Sequence, residues 1–308
     1  MAWLGVEIGG TKLQTAVVED DGTVATARRA EVDATAGAPA VLDTLSGLLA
    51  ETMSAWPALP VAVGVGFGGP VDRARGIVAA CHQVRGWSGF PLARWIGDRT
   101  GLRVMVENDA NAAALAEAVV GAGRGARVVV YSNVGSGVGS GLVIDGLIHH
   151  GRVPGEMELG HVWLAAEGPT VEEAVSGWSI DRQVQATVEA NPRGGLAEAA
   201  AGSRPSARHL LEAIAAGDAP AAGILDRAAR WYALGLSHAV HLINPDVIVL
   251  GGGVAGIGEP WRAAIERHLA GFVVEALQPP PPVRLAALGD LVVPVGAALV
   301  AAGGPCFA

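Results

Sequence analysis

The amino-acid sequence predicts an α/β fold with two lobes and an internal duplication. A unit made of a strand, a glycine-rich turn and a second strand occurs twice, first at residues 3–18 and again at residues 127–144. Two such units at the heads of two halves are typical of a duplicated architecture. The chain has 308 residues, which is long for one compact core and favours two lobes. Hydrophobic residues make up 51% and charged residues 17%, a balance that excludes disorder and fits a well-buried globular protein.

The first half opens with three predicted strands that form a meander. Trp3–Ile8 is followed by Gly9-Gly10 and the apolar run Leu13–Val18, and a turn at Asp20-Asp21-Gly22 leads to a third strand over Thr23–Ala30. The pattern then predicts a helix over 41–54, a buried strand over 61–67, a helix over 90–100, a short strand over 104–106 and an alanine-rich helix over 110–120.

The second half repeats the opening unit. Arg127–Asn133 is a predicted strand, Gly135–Gly141 a glycine-rich turn and Leu142–Ile144 the returning strand. Later elements are a helix over 228–242, a buried strand over 247–250 before three glycines, and a last helix near 294–302. We expect an N-terminal lobe over 1–118, completed by a C-terminal helix at about 293–308, and a C-terminal lobe over 119–292.

The composition excludes several classes of function. A net charge of −9 without any Lys- or Arg-rich tract disfavours nucleic-acid binding. Every apolar run is interrupted before it reaches the length of a membrane span, and the N-terminus has no secretion signal. Cys81 and Cys306 lie too far apart in sequence to indicate a disulfide framework, so a cytoplasmic protein is expected. Trp163 and Trp178 could lie in the core or at an interface, and we expect them in the core.

Two glycine-rich turns are candidates for phosphate binding. Gly9-Gly10-Thr11-Lys12 offers backbone N–H groups and a hydroxyl to phosphate oxygens, although an ordinary hairpin turn explains the same residues. Gly135-Ser136-Gly137 begins the second turn, which is neither a Walker motif nor a Rossmann motif, because no Gly-Lys-Ser/Thr follows and a strand comes next. Two such turns on two hairpins are more specific than either alone.

Two polar segments are candidates for chemistry on an alcohol. Asn108-Asp109 stands at the end of a predicted strand, where the Asp109 carboxylate could accept a proton from an attacking hydroxyl; a helix N-cap is the alternative. Glu158 and His161 flank a glycine and could hydrogen-bond adjacent hydroxyls, whereas the alternative is a solvated acidic loop.

Taken together, these segments resemble the ROK family of sugar kinases and repressors, within the sugar kinase/Hsp70/actin superfamily. The matching segments cover nearly the whole chain: Gly9–Lys12, Gly66–Asp72, Gly86-Trp87, Glu107–Asn111, Gly135–Gly141, Glu158–His161, Ser176-Gly177 and Asn244–Gly253. The resemblance implies an actin-like ATPase (ribonuclease H-like) duplicated fold with two lobes around a central cleft.

The resemblance also implies roles for individual residues. Asp109 matches the catalytic base. The phosphate loops are matched by Gly9, Gly10, Thr11, Lys12, Gly135, Ser136 and Gly137, and the turn beside adenosine by Gly251, Gly252 and Gly253. The sugar contacts are matched by Asn108, Asp109, Glu158, His161 and Glu172, with Gly68 and Gly69 lining the same cleft.

Several positions depart from the family pattern. Glu7 replaces the usual Asp, and its extra methylene still permits a water-mediated magnesium contact. Gly68 replaces a usual proline and Gln83 a usual asparagine. Family members carry a cysteine-rich zinc segment after the Gly-His pair, but no cysteine lies between His161 and Glu172. Because structural zinc needs four N or S ligands, we expect no zinc site and a His161 held by packing and hydrogen bonds.

The implied function is a glucokinase-like sugar kinase that uses ATP and Mg²⁺ and acts on a hexose, at the 6-position, as a homodimer. Mannose, fructose, an amino sugar, an N-acetylhexosamine and a cyclitol stay open as acceptors. A non-catalytic sensor or regulator is the competing class; a repressor is disfavoured because Gly9 lies too near the start for a DNA-binding domain before it. Polyphosphate as donor is disfavoured because it needs a basic channel and lysines are scarce.

Overall fold

A computed structural model describes residues 1–33, 37–80, 86–153, 155 and 157–303. Cys81, Gln83 and Cys306 therefore lie outside the described residues. The chain divides into two compact units. The first unit comprises Met1–Val129, Gly141–Met157 and Ala287–Ala308, and the second comprises Val130–Ser140 and Glu158–Ala286. The lobe limits given above stay a prediction.

The described elements follow one another in the order of the sequence. Up to residue 119 they are β1 (Ala2–Ile8), β2 (Lys12–Glu19), β3 (Val24–Glu31), α1 (Gly37–Ser54), β4 (Val63–Phe67), β5 (Val71–Asp72), β6 (Ile77–Val78), α2 (Leu92–Thr100), β7 (Val104–Asn108) and α3 (Asp109–Val119). Beyond it they are β8 (Val128–Val134), β9 (Val138–Ile144), β10 (Leu147–Ile148), α4 (Val171–Val175), α5 (Gly177–Ala190), α6 (Gly195–Ala199), α7 (Leu210–Ala215), α8 (Ala219–Ile243), β11 (Val247–Gly251), α9 (Glu259–Phe272), β12 (Val283–Leu285) and α10 (Val292–Ala302).

The first unit is built on a five-stranded sheet with the order β3-β2-β1-β4-β7. Strands β1, β2 and β3 form the predicted antiparallel meander, and β4 and β7 lie parallel to β1. The strands β1 and β4 are buried on both faces, as expected for the middle of a covered parallel arrangement. Trp87 closes the apolar core, with its ring 5.4 Å from that of Phe67 and edge-on to it.

In the second unit, strands β9, β8, β11 and β12 are neighbours in that order, with β11 and β12 parallel. Strand β9 begins at Val138, so the glycine-rich turn is shorter than the predicted 135–141. The prediction was wrong there because glycines at alternate positions also fit the two-residue period of a strand. The core of this unit contains stacked Tyr232 and Trp261, whose rings lie 5.8 Å apart.

Two further sequence expectations are corrected. Helix α8 begins at Ala219 and not at 228, because Asp218 caps it by accepting a hydrogen bond from the Ala221 N–H, with a proline in the first turn. Trp163 and Trp178 are not core residues, since each is 61% exposed. No described helix has the length and apolar character needed to cross a bilayer.

Glycines allow helix α10 to pack directly on the sheet and on α3 within the first unit. A Cβ atom on Gly64 would lie 1.7 Å from the Ala297 carbonyl oxygen, and one on Gly296 would lie 1.8 Å from the Ala112 carbonyl oxygen. Any side chain at either position would therefore collide with backbone, which cannot move aside as a flexible side chain can. These close approaches fix the helix pair at the base of the first unit.

We expect Gly296→Ala to lower the free energy of unfolding by roughly 1–3 kcal/mol, because the added methyl group forces α10 away from α3. Gly47→Ala is the matched control: Gly47 is exposed within α1 with open space around it. There the same change should stabilise the protein by about 0.5–1 kcal/mol through helix propensity. Urea unfolding of both variants measures the difference, and equal midpoints would contradict the close packing.

Candidate functional site

Three parallel strands of the first unit end at one edge of the sheet. Ile8 at the end of β1 pairs with Phe67 at the end of β4, which pairs in turn with Asn108 at the end of β7. Gly9, Gly68 and Asp109 follow these three positions. The carboxyl edge of parallel strands is where α/β folds bind their ligands. The structure therefore brings together the predicted residues Glu7, Gly9, Gly68, Asn108 and Asp109.

Asp109 begins helix α3, but Asn108 is the residue that caps it. The Asn108 side-chain oxygen accepts hydrogen bonds from the N–H groups of Ala110 at 2.9 Å and Asn111 at 3.1 Å. The interpretation of the acidic residue as a plain N-cap is therefore wrong. One Asp109 oxygen accepts from the Ala110 N–H at 2.8 Å, and the other would lie 3.4 Å from a Cβ atom on Gly68. The carboxylate thus borders the glycine backbone after β4.

The backbone after β4 turns sharply beside Asp109. The Gly68 N–H donates to the Ile8 carbonyl at 2.9 Å, and the Gly69 N–H donates to the Phe67 carbonyl at 2.8 Å. The Asn108 side-chain amide reaches the Gly69 carbonyl at 3.4 Å. These bonds place both glycines against the strand ends.

Glu7 is a buried carboxyl group beside the only lysine of the sequence. Its Oε2 lies 3.3 Å from Lys12 Nζ and accepts a hydrogen bond from Gln14 Nε2 at 3.0 Å. Burial and, to a lesser extent, the negative charge of Asp109 raise the pKa of Glu7 to about 7, against the opposing effect of the Lys12 charge. The glycine turn between them is closed by the Gly9 N–H donating to the Lys12 carbonyl at 3.0 Å. Gly10 and the exposed Thr11 form its tip.

The glycine turn of the second unit lies between β8 and β9. The Gly135 N–H donates to the Gly137 carbonyl, and the Gly177 N–H at the start of α5 donates to the Gly135 carbonyl, both at 2.8 Å. Ser136 is the central residue of this turn. Glu172, predicted as a sugar contact, accepts from the Val138 N–H at 2.8 Å, and a Cβ atom on Gly137 would lie 2.4 Å from its carboxylate. Glu172 therefore supports the turn.

The three glycines after β11 lie against β8 in the same unit. A Cβ atom on Gly251 would lie 2.1 Å from the Tyr131 hydroxyl, and one on Gly252 would lie 2.4 Å from the Val134 carbonyl. Gly252 also has φ +81°, which favours glycine. Gly253 then starts a short 3₁₀ turn over residues 253–257. The two glycine segments 135–137 and 251–253 are thus brought together.

Glu158 and His161 lie at a 3₁₀ turn that is anchored on β9. The Leu159 N–H donates to the Ser140 hydroxyl at 3.1 Å, and Gly160 packs against the Val138 carbonyl. The side chain of Glu158 is 51% exposed and that of His161 is 71% exposed, with 3.9 Å between their Oε2 and Nε2 atoms. The expectation that His161 is held by packing is therefore wrong, because the turn is held through its backbone and Leu159.

The second unit contains a groove of about 460 Å³ that was not predicted from the sequence. One wall is the face of helix α5 that carries exposed Trp178, and the other wall is the segment 203–208. Both walls are joined by the Ala207 N–H donating to Asp181 at 2.7 Å. The groove also contains Arg182, Arg204 and Arg208. None of these three guanidinium groups bonds to another residue that the structure describes.

Metal ligands are sparse in the part of the chain that the structure describes. No group of three or more His, Cys, Asp or Glu side chains there could hold a metal ion by itself. Structural zinc needs four N or S ligands. The absence of a zinc site stays a prediction.

The chain is similar to several known sugar kinases. The glucokinase of Thermotoga maritima is 32% identical over 280 residues, which cover 88% of each chain. A solved structure of a ROK family glucokinase from Streptomyces griseus, in complex with glucose and AMPPNP, superposes with a TM-score of 0.88 at 30% identity. It covers 99% of this chain and 100% of that one. The structure of a ROK hexokinase from Thermus thermophilus superposes with a TM-score of 0.77 at 30% identity, with 98% of each chain covered.

These neighbours confirm the predicted actin-like ATPase fold, with its mixed α/β architecture. The model of the ROK family matches residues 3–303, which is nearly the whole chain and includes every candidate residue discussed above. The chain belongs to the ROK family.

Proposed function

We propose that this protein transfers the γ-phosphoryl group of ATP to a hydroxyl of a hexose, with Asp109 as the general base. The observation that carries the proposal is the Asp109 carboxylate at the shared edge of three parallel strands, beside the glycine backbone at Gly9 and Gly68. The expected class of enzyme, a sugar kinase, is confirmed by the glucokinase relatives at 32% and 30% identity.

The proposed step is a direct transfer. Asp109 accepts the proton of the sugar hydroxyl while that oxygen attacks the γ-phosphorus, and ADP leaves with the bond electrons. The hydrogen bond from the Ala110 N–H orients one Asp109 oxygen, and the other oxygen lies beside the backbone of Gly68. Orientation of this kind is worth roughly 7–11 kcal/mol in well-aligned reactions.

Magnesium fits this site as a single-carboxylate contact. Mg²⁺ is usually held by one or two carboxylates, waters and the phosphates of the nucleotide. Glu7 Oε2 is occupied by Lys12 and Gln14, whereas Oε1 faces the turn and would lie 3.8 Å from a Cβ atom on Gly9. We propose that Glu7 holds the ion through water. Bound there, Mg²⁺ would neutralise charge on the phosphoryl oxygens.

The donor nucleotide would use the second unit. The turns at 135–137 and 251–253 contain glycines whose backbone a phosphate could approach closely. The groove with Arg182, Arg204 and Arg208 is lined by Trp178. Trp178 follows Gly177, whose N–H donates to the Gly135 carbonyl. Arginine forks match phosphate oxygens, and an exposed Trp178 offers a flat surface to a base. This supports ATP as the donor. Polyphosphate was disfavoured because it needs a basic channel. Since these arginines could form part of such a channel, polyphosphate is included as a donor in the test.

The proposed contacts to the sugar hydroxyls are Asn108, Asp109, Glu158, His161 and Glu172, with Gly68 and Gly69 as backbone lining. Glucose, phosphorylated at the 6-hydroxyl, is the proposed acceptor. An amino sugar, an N-acetylhexosamine and a cyclitol are alternative acceptors, which differ from glucose in the polar groups that they offer for hydrogen bonding. The homodimer and the cytoplasmic location are part of the same proposal. A non-catalytic sensor is disfavoured because the relatives at 32% and 30% identity are glucokinases.

The test is release of ADP over a panel of hexoses and cyclitols with ATP and Mg²⁺, repeated with polyphosphate and with a zinc chelator. We expect glucose to give the highest kcat/KM and the chelator to have no effect. Sugar binding without ADP release for any compound would favour the sensor.

We expect Asp109→Asn to lower kcat by about 100-fold or more while glucose binding is kept, because Asn cannot accept the proton. Asp43→Asn, at an exposed position of α1, is the control and should match the wild type. Steady-state kinetics and calorimetric titration of glucose measure the two effects separately. Turnover of Asp109→Asn near the wild-type rate would show that another group is the base.

Replacing Arg204 and Arg208 together by Ala should raise the KM for ATP about 10-fold, since each lost charge-assisted hydrogen bond weakens phosphate binding. The KM for glucose should stay within about 2-fold, and Arg193→Ala, at an exposed position outside the groove, should change neither constant. An unchanged KM for ATP would remove the groove from the donor site.

Glu7→Gln should make the free energy of unfolding less dependent on pH. In the folded protein the Glu7 carboxyl keeps its proton up to a pKa of about 7, whereas the unfolded chain releases it near 4.5. The wild type therefore loses stability as pH rises through that window, by about 2 kcal/mol relative to Gln between pH 5 and pH 8. Melting curves over that range test this, and parallel curves would mean that Glu7 ionises normally.

A further inference from the structure

A second buried carboxylate, that of Glu107, stands next to the proposed site without belonging to the set of sugar contacts. Glu107 is the penultimate residue of β7 and is 2% exposed. Its Oε1 accepts hydrogen bonds from the Asn108 N–H at 3.0 Å and from the Asn111 side-chain amide at 3.1 Å. Its Oε2 lies 2.8 Å from His150 Nε2. A buried carboxylate is costly unless every bond of this kind is made.

The bonds to Oε1 hold both sides of Asp109. Asn108 precedes Asp109 and caps α3, and Asn111 lies in the first turn of that helix. The orientation of the Glu107 carboxylate therefore sets the position of the strand end and of the helix start together. Asp109 lies in the chain between these two anchor points.

His150 supplies the partner on the other side of the carboxylate. It follows β10, and its side chain is 23% exposed. We assign the proton to Nε2, because a carboxylate that already accepts two N–H groups serves as an acceptor for the third. The bond joins residues 43 positions apart in the sequence.

A cavity of about 450 Å³ lies beside this pair, with Glu107, His150 and Arg73 among its lining residues and otherwise mostly apolar walls, including Val106 and Leu115. If the imidazole were removed, the carboxylate could turn into this space toward water. Such a turn would withdraw Oε1 from Asn108 and Asn111. The cavity thus makes the orientation of Glu107 dependent on His150.

We infer that His150 is a positioning residue for phosphoryl transfer, which acts through Glu107 to hold the Asn108–Asp109 turn in its working geometry. The inference rests on the proposed function, because it assumes that Asp109 is the base. It assigns His150 no contact with the sugar, the nucleotide or the reacting atoms.

The experiment compares three variants in the full chain. His150→Leu removes the N–H donor, and His150→Gln keeps a donor at similar reach. His149→Leu is the matched control: it changes the neighbouring, exposed histidine, whose imidazole bonds to no residue that the structure describes. Kinetics with glucose and ATP are combined with amide hydrogen exchange of the peptide segment over 106–112.

We expect His150→Leu to lower kcat about 10-fold or more, with both KM values within about 2-fold of the wild type, because a displaced base slows the chemical step. His150→Gln should recover most of kcat, and His149→Leu should match the wild type. The segment over 106–112 should exchange faster in His150→Leu only.

Three results would overturn the inference. The first is a kcat of His150→Leu within about 2-fold of the wild type, at folded concentrations matched by circular dichroism. The second is His150→Gln remaining as slow as His150→Leu while exchange over 106–112 is normal in both. The third is a wild type that turns over no sugar, which also overturns the proposed function, whereas the first two leave that function standing.

Discussion

The site depends on the register of three parallel strands. Because Ile8, Phe67 and Asn108 are direct neighbours across β1, β4 and β7, the chain leaves the sheet three times at the same level. Gly64 lets helix α10 pack closely on the sheet, and Gly296 lets the same helix pack closely on α3, which carries Asp109. The packing of the helix that begins with the proposed base therefore depends on close backbone contacts at glycine.

At the strand ends, different polar side chains hold the structure and carry the proposed chemistry. Asn108, which is neutral, caps helix α3, so the cap does not consume the charge of Asp109. Glu107 uses both oxygens to hold backbone and side-chain N–H groups and His150. The carboxylates at 107 and 109 are two positions apart, yet Glu107 bonds to Asn108, Asn111 and His150, whereas Asp109 lies beside the backbone of Gly68. Their surroundings, and not their residue types, separate the two roles.

Much of the fold was predictable because its signals are local. The meander up to residue 30 and the final helix follow from apolar period and turn residues, and Asp109 follows from its place at a strand end. The Glu107–His150 bond was not predictable, since it joins positions 43 apart and His150 belongs to none of the motifs recognised in the sequence. The start of β9 at Val138 was missed because alternating glycines fit a turn and a strand equally. The exposure of Trp163 and Trp178 depends on tertiary packing, which apolar character alone does not report.

The distribution of positive charge explains how a chain with a net negative charge could bind a negatively charged nucleotide. Its only lysine is paired with Glu7 in the first unit, and that pair lowers the cost of a carboxyl group buried near Asp109. Lys12 is thus only partly available to phosphate. Arg182, Arg204 and Arg208, which bond to no other described residue, line the groove of the second unit. The glycine turns at 135–137 and 251–253 belong to the same unit. Proton acceptance needs a carboxylate and phosphate binding needs positive charge, and the proposal takes most of that positive charge from the second unit. A net charge of −9 is then no obstacle, because each ligand group meets its own local field and not the average.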